Sequence, residues 1–534
     1  MNVFKSCGIM FDMSRDGVMK VDALKKYIKV VSQMGIDTIY LYLEDTYELK
    51  DYPMFGYMRG RYSHEELKEI DTFCTSFEMK MIPCIQTLGH MAQYLKYSCA
   101  KPVRDTANEL LCGADETYEL IEAMVKTMRE CISGDKLHIG MDEALDLGTG
   151  QYYLLHGYED KSEIFLKHLN RVCEICYKYG FKPMIWDDVA ATLIKKNDEK
   201  NLANILPDVE LVPWGYGCCQ TENVQRRVDS LRPFNRSMTF AGTAWTYGTA
   251  LPRYKICKAT NLVTARGAAE CGVENYIMTL WGDDGCPCNY WFALPQIMEL
   301  GFYNLNGRIP TDEELCELAE KYGIIDYRFS KTVEYFDQPK GIDTDVGKRI
   351  VWGDLLYNSA RVFDKDYAEI LANAAKNVDE FIKKNDKWQP FYKYAKLYIK
   401  IASIKANITT NIREAYLKGN REFMTEVCET LLPEVKTFFK KLELLHRKMW
   451  LDTYKPFGYQ KTCCRYGAQI MRLSYTIDRI RDYLDGKIPN IPELEAEPMK
   501  CLLENEMKFI TEDGGIFIDY EKWNCARDYM DISL

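Results

Sequence analysis

Residues 136–148 read KLHIGMDEALDLG, a short apolar run that delivers two adjacent carboxylates, Asp142 and Glu143, to its end. Neighbouring acids repel, and burial disfavours a charged carboxylate, so a purely structural role would need compensating partners. The same pattern of apolar run and polar end recurs along the chain. Seven more candidate strands lie at 7–13 (CGIMFDM), 38–44 (TIYLYLE), 80–86 (KMIPCIQ), 182–188 (KPMIWDD), 209–215 (VELVPWG), 237–244 (SMTFAGTA) and 275–284 (NYIMTLWGDD). Between them run segments such as VDALKKYIKVVSQMG and ETYELIEAMVKTMREC, apolar at every third or fourth residue, which predicts helices. Eight strands alternating with helices predict an α/β fold, a (β/α)8 TIM barrel over residues 1–305. From about residue 310 the pattern becomes wholly helical, which predicts an α-helical domain over 306–534. It opens on a capping signal, Thr311 followed by Glu314, and includes a stripe of Leu397, Ile401, Ile404, Ile408 and Ile412.

Barrel active sites are built at the carboxyl ends of the strands, and here those ends are chemically loaded. In chain order they carry Asp12 and Arg15, Glu44 and Asp45, His90, Asp142 and Glu143, then Trp186 with Asp187 and Asp188. Trp214 and Tyr216, Trp245 and Tyr247, and Trp281 with Asp283 and Asp284 complete the series. Any one tryptophan alone is ordinary core packing, but four of the nine cap four successive strands. Aromatic faces beside carboxylates, with Arg15 the one cation near these ends, suit a ligand with apolar C–H faces and many hydroxyls, which describes a sugar. No glycine-rich phosphate cradle accompanies them.

A formal charge of −10 argues against nucleic acid as a partner. The start of the chain lacks an export leader, and nowhere do about 18 apolar residues run together, so neither secretion nor a membrane partner is expected. Twenty cysteines at irregular spacing within apolar segments fit a reducing, cytoplasmic location better than a disulfide framework. Cys173 and Cys176 form the one Cys-x-x-Cys; they lie inside a helical pattern and read as packing.

Against this background HIGMDE resembles the His-x-Gly-x-Asp-Glu signature of family 20 glycoside hydrolases, the β-N-acetylhexosaminidases. GIMFDMSR, YLYLEDTYEL and IQTLGH resemble that family's first three strands, and the tryptophan-bearing ends resemble its sugar pocket. The early first strand and the helical region after the barrel resemble the single-barrel branch of the family. The resemblance implies an exo-acting, retaining β-N-acetylhexosaminidase that needs no cofactor or metal and acts on terminal GlcNAc or GalNAc of a small or oligosaccharide substrate. It implies Glu143 as general acid and base, and Asp142 as the residue orienting the substrate's own 2-acetamido nucleophile. Because strand alternation would point these two side chains to opposite faces, that assignment requires the backbone to leave strand geometry at the rim. Tyr247, with Tyr216 second, is the candidate for the acetamide oxygen, and Glu44 and His90 resemble a carboxylate–histidine relay behind Glu143. Trp186, Trp214, Trp245 and Trp281 would wall the pocket, with Asp283, Asp284 and Asp45 toward the outer hydroxyls and Arg15 either reaching the rim or pinning its own loop. The family's arginine for the sugar's O3 and O4 aligns with Cys7, and its Trp-x-Glu with Trp281-Gly282-Asp283; both are departures. The helical domain is expected to shape the mouth or form a homodimer contact, and the segment 449–460 (MWLDTYKPFGYQ) to lean over the site or pack as a loop.

Two rival readings stand beside this one. His90, His138, Asp142, Glu143, Asp187, Asp188 and Asp283 could serve a metal-dependent barrel hydrolase or isomerase. The same scaffold could also be a glycan-binding protein without turnover.

Overall fold

The structure is a computed structural model that describes residues 2–189, 191, 206–336, 346–356 and 366–496. Eight parallel strands form one sheet: β1 (Ser6–Asp12), β2 (Thr38–Glu44), β3 (Lys80–Ile85), β4 (Lys136–His138), β5 (Lys182–Trp186), β6 (Glu210–Val212), β7 (Thr239–Thr243) and β8 (Asn275–Leu280). Their order is β6-β5-β4-β3-β2-β1-β8-β7. Two parallel bridges, Leu211 to Met238 and Trp214 to Ala241, join the ends and close the barrel. All eight strands read from the sequence are present.

Alternation along the strands divides their side chains. Met10, Tyr40, Tyr42, Cys84, Met184 and Trp186 pack with one another in the lumen, whereas Ile9, Ile39 and Ile185 join the larger core beneath the helices. Cys7 belongs to that outer set, two residues into β1, so a side chain at this position faces the helical layer. The helices described around the barrel are α1 (Val21–Val31), α2 (His64–Ser76), α3 (Asp115–Cys131), α4 (Lys161–Lys178), α5 (Thr221–Leu231), α6 (Tyr254–Glu270) and α7 (Leu294–Asn306). Cys173 and Cys176 are buried within α4. The connection between β5 and β6 lies mostly outside the described residues.

Strand four stops at His138, five residues short of the run read from sequence. Gly140 (φ 76°), Met141 (φ 76°) and Glu143 (φ 49°) take left-handed backbone, which no strand can continue. A Cβ on Gly140 would stand 1.9 Å from the Gln86 side-chain amide oxygen Oε1, so the glycine of the motif is required by both backbone and neighbour.

Beyond the barrel, Thr311 and Glu314 form the expected capping box. Three long helices dominate: α8 (Gln389–Leu417), α9 (Leu432–Thr453) and α10 (Tyr459–Leu484). The α8 stripe is core, with Ile401, Ile408 and Ile412 buried. Segment 449–460 joins this region to the barrel. Tyr454 bridges Met19, the Tyr290 N–H donates to its hydroxyl (3.0 Å), and Lys455 reaches Glu66 (2.7 Å). Gly458 (φ 88°) sits so close that a Cβ would be 2.3 Å from the Asp16 carbonyl oxygen. Among the described residues no helix is long and apolar enough to cross a membrane.

Gly458→Ala combines backbone strain with overlap at this seam, so calorimetry is expected to show destabilisation of about 2 kcal/mol or more. An unchanged melting temperature would show that the junction yields freely.

Candidate active site

The mouth of the barrel is built from backbone that leaves regular structure. Six of the twelve non-glycine residues with left-handed φ among the described residues are Glu44, His90, Met141, Glu143, Trp245 and Asp284, each beyond or at the end of a strand. Such conformations cost about 1–3 kcal/mol each and persist where surrounding contacts fix them.

One side-chain chain runs across this mouth. Tyr42 donates its hydroxyl to Glu44 Oε1 (3.2 Å), and the Gln86 amide donates to Tyr42 (2.8 Å) and to Asp142 Oδ1 (2.7 Å). His90 Nε2 then lies 3.1 Å from Asp142 Oδ2 and 3.4 Å from Glu143 Oε2. Burial alone would discharge the imidazole, but the Asp142 and Glu143 oxygens overcome it and hold the pKa of His90 well above its ordinary 6.5. Asp142 is likewise largely withdrawn from solvent, and the His90 charge and the Gln86 donor outweigh that desolvation, keeping its pKa below the usual carboxylate range. Glu143 is the open member, its side chain 59% exposed, while its N–H donates to Asp188 Oδ2 (2.9 Å). Burial and the nearby Asp142 charge push the Asp188 carboxyl up.

Arg15 reaches in from the loop after β1, over the rings of Tyr42 (5.1 Å) and Trp281 (5.4 Å). It lies 3.1 Å from Glu44, 3.5 Å from Asp12 and 3.8 Å from Asp283. Partial desolvation, reinforced by Asp12 and opposed by Arg15, raises the carboxyl of Asp283, whose side chain is still 44% exposed, to about 6. Burial also raises Glu44, against the pull of Arg15 and His90. The expected relay is therefore not a direct pair: Glu44 bonds Arg15 and Tyr42, whereas His90 bonds the two acids.

The aromatic walls divide into two groups. Trp186, buried, packs on His138 (4.7 Å) and Trp281 (5.9 Å), and Trp281 donates its indole N–H to the Tyr216 hydroxyl (2.8 Å). Trp214 stands beside Tyr216 (5.2 Å). Trp245 is wholly buried, gives its N–H to Thr260 in α6 (3.0 Å), and stacks on Tyr247 (5.3 Å). His138 accepts from the Gly140 N–H (3.1 Å) and is kept neutral by burial, its pKa lowered to about 4.

Two acids read as hydroxyl ligands are committed elsewhere. Asp45 is buried against Arg59 (2.8 Å), and Asp284 is paired with Lys348 (2.5 Å). Asp187 is held by Arg227 (2.9 Å). Gln86 and Tyr42 are the residues that sequence reasoning missed. The signal was present in alternation: Tyr42 shares its face with Glu44, and Gln86 follows inward-facing Cys84 by two. Among the described residues no group of three or more His, Cys, Asp or Glu is arranged to hold a metal ion.

Residues 4–205 match the family model for the glycosyl hydrolase family 20 catalytic domain, and residues 330–511 match that for the glycoside hydrolase 20C C-terminal domain. Hexosaminidase D of Bos taurus is 28% identical over 207 residues, covering 37% of this chain and 59% of that protein. Hexosaminidase D of Homo sapiens is 26% identical over 206 residues, covering 37% and 42%. Each match thus spans less than two thirds of the curated relative. Among solved structures, the β-N-acetylhexosaminidase of Bacteroides fragilis aligns with a TM-score of 0.47 at 18% identity, covering 61% of this chain and 72% of that one.

Because the folded-state value for His90 exceeds 6.5, its contribution to stability is complete below pH 6.5 and is lost as pH rises through the raised value. In an NMR titration the His90 ring is expected to stay protonated at neutral pH. Asp142→Asn, which leaves burial less opposed, is expected to lower that transition by about one pH unit or more; an unmoved transition would contradict the pairing.

Proposed function

The chain belongs to glycoside hydrolase family 20, and on that premise we propose that it is an exo-acting, retaining β-N-acetylhexosaminidase. It removes terminal β-linked GlcNAc or GalNAc, and the substrate's own acetamido group is the nucleophile. The observation that carries this reading is the pair of adjacent acids gathered on His90, one 13% exposed and held ionised, the other open to the mouth.

The two acids divide the chemistry. Glu143 protonates the glycosidic oxygen as the bond to the anomeric carbon breaks, and the acetamido carbonyl oxygen attacks that carbon from the opposite face. Asp142, held anionic by His90 and Gln86, accepts the acetamido N–H and offsets the positive charge that spreads over the new ring. Glu143, now a carboxylate, takes a proton from the water that opens the oxazolinium ring and restores the starting configuration. A second inversion at the same carbon gives net retention.

Recognition of the sugar follows from what remains available. Trp281 and Trp214, with the buried Trp186 packed behind Trp281, offer aromatic faces to the ring and the acetamido methyl, and Tyr247, with Tyr216 as the alternative, donates to the acetamide oxygen. Trp245 serves by holding Tyr247 through their stack. Arg15 and Asp283 bind the outer hydroxyls in place of the arginine that position 7 lacks, while Asp45 acts indirectly by fixing Arg59. Glu44 positions Arg15 and Tyr42, and through Gln86 reaches Asp142.

Aryl β-glycosides that differ at C2 and C4 test this reading. The 2-acetamido compounds are expected to be cleaved and the 2-hydroxy compounds left nearly untouched. Glu143→Gln should lower kcat by about 10²–10⁴ on alkyl glycosides, and far less when the leaving group is an activated phenol. Asp142→Asn should cost about 10²–10³ on the acetamido substrate. Equal losses on both leaving groups, or cleavage indifferent to C2, would refute the assignment.

A further inference from the structure

Glu143 and His90 border a second space, a cleft of about 950 Å3 that none of Trp186, Trp214, Trp245 and Trp281 lines. Its walls come from four parts of the chain: Tyr57 and Arg59 after β2, Lys96 and Arg104 after β3, Leu145 and Asp146 after β4, and Lys461 in the first turn of α10. On the proposed function, on which this inference rests, a bond cut at Glu143 leaves the retained sugar among the tryptophans and sends the departing group to the other side of that carboxyl. The cleft occupies that other side, and its volume is at the upper end for ligand sites, with room for more than one sugar.

The charges in this cleft are unevenly matched. Arg59 is shared by Asp45 (2.8 Å) and Asp16 (3.6 Å), and Asp16 also takes Lys461 (2.9 Å). Lys96 bonds the Gln93 amide oxygen (2.9 Å) and lies over the Tyr97 ring (5.3 Å), with no carboxylate within salt-bridge reach among the described residues. The charges acting most strongly on it are those of Arg59 and Lys461, opposed by Asp45 and Asp16. Arg104 donates to the Tyr97 carbonyl (2.8 Å), and its buried Nε has no hydrogen-bond partner there. The other acids on the lining are Glu109, Glu143 and Asp146. Glu109 accepts from Thr106 and from the Asp146 N–H, and its charged neighbours are Asp146, Asp105 and Lys161. The Tyr57 and Tyr97 rings supply apolar faces beside the cations.

We infer that this cleft holds the leaving-group sugar and selects one bearing an anionic substituent, a carboxylate or a sulfate ester, through Lys96 and Arg104. The helical domain is then part of the specificity site, because Lys461 neutralises Asp16 and so leaves Lys96 and Arg104, which pair with no carboxylate among the described residues, to the ligand.

The test compares kcat/KM for three disaccharides that share one β-N-acetylhexosaminyl linkage: to a hexuronate, to its methyl ester, and to a 6-sulfated hexose. The hexuronate is expected to exceed its ester by about tenfold, with the margin shrinking in about 0.5 M salt. Lys96→Met, at an exposed position, should remove at least about threefold of it, and Lys96→Met with Arg104→Met should bring the ratio to about one. A preference for only one of the two anions supports the inference and names the substituent. Equal rates on acid and ester, or a preference that survives both substitutions, overturn it. Aryl glycoside cleavage reports on the proposed function separately. If no glycoside is cleaved, calorimetric titration with the same acid and ester still decides the cleft, equal affinities overturning it and a charge preference that Lys96→Met removes supporting it.

Discussion

A single imidazole nitrogen stands between two carboxylates: His90 Nε2 lies 3.1 Å from Asp142 and 3.4 Å from Glu143. Without that charge, adjacent acids at a partly buried rim would repel, and burial would favour protonating one of them. With it, Asp142 stays ionised in a place where an uncompensated anion would be costly, and Glu143 remains free to face the mouth. Much of the local backbone follows from this arrangement. Gly140, Met141 and Glu143 leave strand geometry so that two consecutive side chains reach one nitrogen, and Gly140 has no side chain because Gln86 fills that space to hold Asp142.

The fold was legible because burial on both faces imposes apolar runs on every barrel strand, and the chain repeats such runs eight times. What lay at the strand ends was legible as residue types but less so as contacts. The sequence shows Glu44 and His90 at the ends of the second and third strands, yet their separate partners depend on Arg15, Tyr42 and Gln86, which arrive from three different loops or strands. Asp45 and Asp283 look equivalent as acids beyond a strand. Only the position of Arg59, fourteen residues after Asp45, commits the former and leaves the latter to Arg15. Cys7 stood out as a departure from the family pattern. Strand parity puts it under the helices, so the guanidinium near the mouth has to come from the loop that follows the strand instead.

The helical region is tied to the barrel by contacts that tolerate little movement. Lys455 bonds the Val18 carbonyl through its N–H (2.8 Å) and Glu66 through its ammonium, Asn289 donates to Thr453 (3.1 Å), and Arg465 donates to the Asp284 carbonyl. Glycine at 458 lets α10 begin directly against the loop after β1. Through these contacts Gly458, Gln460, Lys461 and Cys464 come to line the cleft beside Glu143.

The central claim is that the attacking oxygen belongs to the substrate and that Asp142 guides it. A bicyclic thiazoline that mimics the oxazolinium ring measures this most directly when its inhibition constant is determined for the native chain and for Asp142→Asn. The account expects competitive inhibition well below the KM of the matching glycoside, weakened by at least about tenfold in the variant. Absence of inhibition at high concentration, or equal inhibition of both proteins, would contradict it.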